Sequence, residues 1–198
     1  MKNLNPKRVL LIGPSHRVAF DGGSVAMFDR YTTVCGDIVI DKNYGTLLLK
    51  QFPFLHFNLD AHNEHSTETQ SLFIQKAFPK SKIVEIVYGR VDYESIAKVI
   101  EFAFQDSDTF VVISTDLSHF YHQSKANQLD SICLEAIAKL DLTIWEKGCE
   151  ACGRVGAKAL IEVSKRKGLK SRLLDYRTSA DVTKDDTRVV GYTSAMIY

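Results

Sequence analysis

The stretch Arg8-Val9-Leu10-Leu11-Ile12-Gly13-Pro14-Ser15-His16 decides the fold. Four consecutive apolar residues, Val9 to Ile12, leave no polar face for water, so they predict a strand buried on both sides. Gly13 and Pro14 end the run, and a serine and a histidine follow at its carboxyl end. Phe110-Val111-Val112-Ile113 has the same form within a strand predicted over Thr109 to Ser114. Further strands are predicted at Lys82 to Tyr88 and Val189 to Tyr198, with less regular candidates at Val25 to Val34 and Leu169 to Tyr176.

Strands of this kind need helices on both faces, and the sequence supplies them. Apolar positions at three and four spacing predict helices at Asp41 to Phe52, Ser66 to Phe78, Asp92 to Gln105, Asn127 to Leu140, Leu142 to Gly148 and Arg154 to Lys167. Asp41, Asp92 and a Thr67 to Gln70 capping box mark starts, and Gly168 marks the last end. The alternation predicts an α/β protein: a three-layer α/β/α arrangement with a mainly parallel central sheet and a C-terminal hairpin, in one domain over residues 1–198.

The composition fits an ordinary globular chain. Its 198 residues are 45% hydrophobic and carry 25 Lys plus Arg against 24 Asp plus Glu, which excludes disorder, collagen and coiled coil. Such a balance gives no general field for nucleic acid or membrane. The one basic patch, Lys165, Arg166, Lys167, Lys170 and Arg172, has no interleaved aromatics and reads as a solvated helix end. No apolar run is long enough for a signal segment or a membrane span, so a cytoplasmic protein is expected. Four scattered cysteines are too few for a disulfide framework, and most are expected as free thiols.

Ligands in open α/β sheets bind beyond the carboxyl ends of the strands. One strand runs into Gly13-Pro14-Ser15-His16 and another into Thr115-Asp116-Leu117-Ser118-His119. A third polar block, Asp60 to Glu68, holds His62, His65 and three carboxylates. Asp116 and His119 suit a metal site or acid/base work, and the competing reading has Asp116 cap a following helix. Glu64 and Glu68 suit a helix start, opposing its dipole. Cys149-x-x-Cys152 has the spacing of a redox pair or half a zinc site, but no second pair follows. Cys152 just precedes a predicted helix, whose dipole is expected to lower its thiol pKa. His56 alternates with apolar neighbours and reads as a core or edge residue, and His122 as surface.

Taken together, Leu11 to His16, Asn63 to Glu68, Ile113 to His119, Cys152-Gly153-Arg154 and the tail Ser179 to Tyr198 with Gly191-Tyr192 resemble the Memo family. Its bacterial and archaeal members are called AmmeMemoRadiSam system protein B. The likeness keeps its order over nearly the whole chain. It implies a fold similar to the catalytic subunit of class III extradiol dioxygenases, which use non-haem Fe(II) at the strand ends. By motif it implies a pocket lined by His16, Asp116, His119 and Cys152, with His16, Cys152 and Asp116 as metal ligands. Asp116, His119 and His65 are the catalytic candidates. The family's early histidine motif has no counterpart, so the chain is expected to lack an N-terminal segment, and one missing ligand weakens a metal site.

Two functions follow from the resemblance. The first is a metal-binding oxidoreductase or dioxygenase-like protein, using iron or copper, since a thiolate ligand favours those metals over magnesium. Its substrate is a small molecule that the residues do not define. The alternative is a non-catalytic binding module for a peptide or for radical-SAM and AMMECR-like system partners. Neither reading involves nucleic acid or a membrane.

Overall fold

In the computed structural model, described for residues 5–198, the chain forms two compact units, one ending at Ser114 and the other running from Thr115 to Tyr198. The first is built around β1 (Arg8–Pro14), whose residues Val9 to Ile12 are wholly buried in succession. Burial of both parities means that both faces of the strand are covered, as its continuous apolar run requires. β1 lies between β6 (Lys82–Tyr88) and β7 (Thr109–Ile113), parallel to both. β2 (Gly23–Val25) runs antiparallel to β6, and the short β5 (Leu55–His56) pairs parallel with β2. The sheet order is β5-β2-β6-β1-β7. β1 and β7 end side by side, with Ile12 opposite Ile113.

Three helices accompany this sheet: α1 (Lys42–Gln51), α2 (His65–Ala77) and α3 (Tyr93–Ala103). Val9 and Leu11, on one face of β1, pack in a cluster with Ile38, Ile83 and Ile74 of α2. Asp41 and Asp92 cap α1 and α3 as expected, accepting from the amides of Tyr44 and Ser95. The expected Thr67 capping box is not used; Glu64 caps α2 instead, its carboxylate accepting from the Ser66 amide. The candidate strand Val25 to Val34 divides into β2 and β3 (Arg30–Thr33), and β3 forms a separate hairpin with β4 (Gly36–Val39).

Gly13 sets how close α2 comes to β1. A Cβ there would lie 2.8 Å from both Ser66 Oγ and Thr67 Cγ2, so only glycine admits the first turn of α2 at this distance. The Ser66 hydroxyl donates to Pro14 O at 2.8 Å, and the Ser114 hydroxyl to Ser66 O at 2.6 Å, tying the helix start to two strand ends.

The second unit has a three-stranded antiparallel sheet, with β10 (Val189–Ile197) between β8 (His119–Tyr121) and β9 (Ser171–Thr178). β9 and β10 are the expected hairpin, and their connection holds a short helix, α7 (Ala180–Thr183). Of the other helices, α4 (Gln123–Lys139) starts four residues before its expected Asn127, because His122 caps it. α5 spans Leu142–Trp145 and α6 spans Arg154–Arg166. Asp116 caps nothing: the chain after it enters β8, not a helix. Among the described residues no helix is long and apolar enough to cross a membrane.

The cysteine expectation is half corrected. Cys133 of α4 and Cys149 are disulfide-bonded, with Cα atoms 4.8 Å apart, while Cys35 and Cys152 are free. Spacing in sequence carries no sign of the turn after α5 that brings Cys149 back to α4. The bridge closes a loop of 16 residues. Replacing both cysteines by serine is therefore expected to lower the unfolding free energy by about 3 kcal/mol, measured by urea denaturation. A change near zero would show that the bridge does not constrain the unfolded chain.

Candidate functional site

In the first unit the site centres on Glu64, 2% exposed at the start of α2. Its Oε2 accepts from the His16 amide at 2.6 Å, and its Oε1 accepts from the Ser66 amide at 3.1 Å. Oε1 also lies 3.0 Å from His16 Nδ1 and 2.9 Å from His65 Nδ1. Burial opposes ionisation of this carboxyl, but the His16 and Ser66 amides and the His16 ring outweigh it and hold it below the usual carboxylate range. An ionised carboxylate only accepts, so the His16 Nδ1 is the donor to Glu64, and in the neutral ring that tautomer leaves Nε2 with a lone pair; the His65 Nδ1 faces the same oxygen.

The two rings lie with centroids 4.8 Å apart at 36°. Neither Nε2 has a protein partner among the described residues. Three ligand atoms, one each from His16, Glu64 and His65, fall within 4.8 Å of one another, which is reach for a cation. Glu64 accepts three hydrogen bonds, from the His16 and Ser66 amides and the His16 ring, and has the His65 ring in ion-pair contact, so it is the carboxylate that orients the two imidazoles, and the free donors are the two Nε2 atoms.

A second group in this unit has the order of a catalytic triad. Ser24 Oγ is 2.8 Å from His62 Nε2, and His62 Nδ1 is 2.6 Å from Glu85 Oε2, which also accepts from the Tyr31 hydroxyl. Ser24 is wholly buried, and its hydroxyl is bracketed by the backbone of Asn58, donating to the carbonyl at 3.1 Å and accepting from the amide at 2.9 Å. A nucleophile needs access to its substrate, so this group serves to pin the 3₁₀ turn Leu59–His62 against β2. Burial and the Glu85 charge raise the Tyr31 pKa, keeping the phenol a donor.

In the second unit the structure gathers Asp116, His119 and Cys152. The Asp116 amide donates to Cys152 Sγ at 3.1 Å, the Cys152 amide to Asp116 O at 3.3 Å, and the Gly153 amide to Thr115 Oγ1 at 2.9 Å. His119 Nε2 stands 3.8 Å from Asp116 Oδ2, within ion-pair reach but too far for a direct hydrogen bond. The expected lowering of the Cys152 thiol pKa does not occur: burial raises it and outweighs the Asp116 amide, so the thiol is protonated at neutral pH.

Support for this loop comes from residues no motif marks. Buried Asp130 of α4 accepts from the Ser118 amide at 2.9 Å and from the Tyr176 hydroxyl at 2.7 Å. Leu117 and Ser118 are bonded to Gly191 of β10, where a Cβ would stand 2.0 Å from Asp130 Oδ2. Gly191 thus belongs to the site through what it leaves vacant, and an aspartate in a polar helix stretch gives no sequence signal of its burial.

The family model described as Memo-like protein matches residues 1–196. The chain belongs to the Memo family. It is 30% identical over 209 residues to a MEMO1 family protein of Desulfurococcus amylolyticus, covering 99% of this chain and 74% of that relative. It is 32% identical over 209 residues to a MEMO1 family protein of Methanobrevibacter smithii, covering 98% and 73%. A MEMO1 family protein of Aquifex aeolicus is 32% identical over 198 residues, covering 94% and 74%. The Memo motifs carrying His16, Glu64 and His65 thus lie in the first unit, and those carrying Asp116, His119 and Cys152 in the second.

Two outcomes test these assignments in the Memo-family chain. A carboxyl with a depressed folded pKa stabilises the fold above its ordinary value of 4.5, and that contribution is lost as pH falls through the lower folded value. Glu64→Gln should therefore flatten the acid limb of the stability curve below pH 4.5, measured by denaturant unfolding across pH; an unchanged limb contradicts the assignment. His62→Ala, which leaves buried Glu85 with only the Tyr31 hydroxyl, should cost about 3 kcal/mol, against about 1 kcal/mol for Ser24→Ala. Equal small losses would show that the buried network does not hold the turn.

Proposed function

We propose that this Memo-family chain is a metal-dependent, oxidoreductase-like protein working with non-haem iron or copper. The observation that carries the proposal is the pair of imidazoles held through Nδ1 on one buried carboxylate oxygen, with both Nε2 atoms free. Imidazole nitrogens suit iron and copper, and a carboxylate behind each ring fixes the tautomer that binds them. His16 and His65 are the ligands this geometry supports. In the second unit, the family likeness implies Asp116 and Cys152 as metal donors.

When bound, such an ion supplies redox chemistry and an open position for a small molecule. The chain's own groups supply the rest. Glu64 keeps the two rings oriented. Cys152 holds its proton at Sγ, since burial disfavours the bare thiolate. Asp116 serves as base and His119 as proton donor, a reading supported by the 3.8 Å between Asp116 Oδ2 and His119 Nε2.

The test is elemental analysis of untagged protein, with each donor substituted separately. Iron or copper near one ion per chain is expected, lost on His16→Ala and on His65→Ala. Glu64→Gln should weaken metal affinity by about 10- to 100-fold while leaving the ligands in place. Loss on Cys152→Ser or Asp116→Asn would assign those donors too. Metal-free protein from cells grown with both metals, or content indifferent to the two histidines, would overturn the proposal.

A further inference from the structure

We propose that the open cleft of the first unit, about 520 Å³ and lined by Phe28, Tyr31, Leu59, Asp60, His62 and Glu68, binds an organic cation: an ammonium group on a short apolar stem. The volume falls in the range of small-ligand sites. Its aromatic wall is fixed in place. Phe28 meets Tyr31 edge-on at 4.7 Å and 75°, and His62 at 5.5 Å and 79°. Tyr31 and His62 are both anchored on buried Glu85, so the wall is formed before a ligand arrives.

The charge of the cleft selects the sign of its ligand. Asp60, Glu64 and Glu68 line it against one cation, Arg30, and Arg30 is already paired with Asp37 at 2.8 Å. Asp60 and Glu68 take part in no ion pair among the described residues. The charge of Glu68 reaches the Tyr31 phenol. The threonine hydroxyls that an anion would need are spent within the hairpin: Thr32 donates to Asp37 Oδ1 at 3.0 Å, and Thr33 donates to Gly36 O at 2.8 Å. A bare metal ion does not fit this acid set. Among the described residues the one group of three or more donors converging within 4.8 Å is His16, Glu64 and His65, so Asp60, Glu64 and Glu68 do not together form such a group. Spread negative charge over aromatic faces matches an ammonium whose stem lies on the rings, where cation–π attraction adds to Coulomb attraction.

This inference stands apart from the metal reading, although Glu64 borders both sites. It is tested on the full chain after dialysis against a chelator, so that metal binding plays no part. Amide chemical shifts are followed by NMR during titration with n-butylammonium, with the side chain of Nα-acetyl-lysine methylamide, and with butyrate as the anionic counterpart. Both ammonium probes should shift the amides of residues 30–33 and 59–64 saturably, with Kd on the order of millimolar for so few atoms. A stronger response to the lysine derivative points to a peptide side chain as the source, and an equal one to a free amine. Glu68→Gln and Phe28→Ala should each weaken binding by about fivefold, with the remaining amide spectrum unchanged. Butyrate binding as tightly as butylammonium, no shift with either ammonium probe, or indifference to both substitutions would overturn the assignment.

Discussion

One buried carboxylate organises the first unit. Glu64 caps α2, accepts the amide that follows β1 and its turn, and holds two imidazoles on the same oxygen. A buried charge is stable only when it is well partnered, and three hydrogen bonds together with the His65 ring partner this one. The cap and the ligand set are therefore one structure. An acid that merely opposed a helix dipole would sit exposed and contribute a few tenths of a kcal/mol to about 1 kcal/mol. Glu64 does that and also turns Nδ1 of both histidines toward itself and leaves their Nε2 atoms without a partner among the described residues.

Close approach at Gly13 makes this possible. Without a side chain there, the first turn of α2 lies against the end of β1, and the Ser66 hydroxyl reaches Pro14 O. The glycine, the proline and the serine of the opening stretch thus place His16 beside a helix start formed some fifty residues later in the chain, at Glu64 and His65. The second unit repeats the device at Gly191, whose missing Cβ leaves room for Asp130 beneath the loop that carries Asp116 and His119.

Much of this was legible in the residues. The consecutive apolar runs at Val9 and Phe110 marked strands, and β1, β6 and β7 are parallel as that pattern suggests; β1 is covered on both faces, while β7, at the edge of the sheet, is only partly buried. Asp41 and Asp92 announced their helices because a short acidic side chain before an apolar period has few other uses. The membership of the Memo family followed from motif order. What stayed hidden depends on contacts between distant segments. Ser24, His62 and Glu85 come from a short strand, a 3₁₀ turn and a central strand, and none lies in a motif with the others. The Cys133 to Cys149 bridge depends on the path of the chain after α5, and the raised Cys152 pKa depends on burial, which the helix-start rule ignores. β8 is too short to show a period, so Asp116 was open to reading as a cap.

The central claim is that Glu64 forces one tautomer on both rings, and long-range proton–nitrogen NMR of the metal-free protein at alkaline pH reads it directly. His16 and His65 should both carry hydrogen on Nδ1 and a bare Nε2. Protonation of either ring at Nε2 alone would contradict the claim, because that nitrogen would then have no lone pair to give a metal.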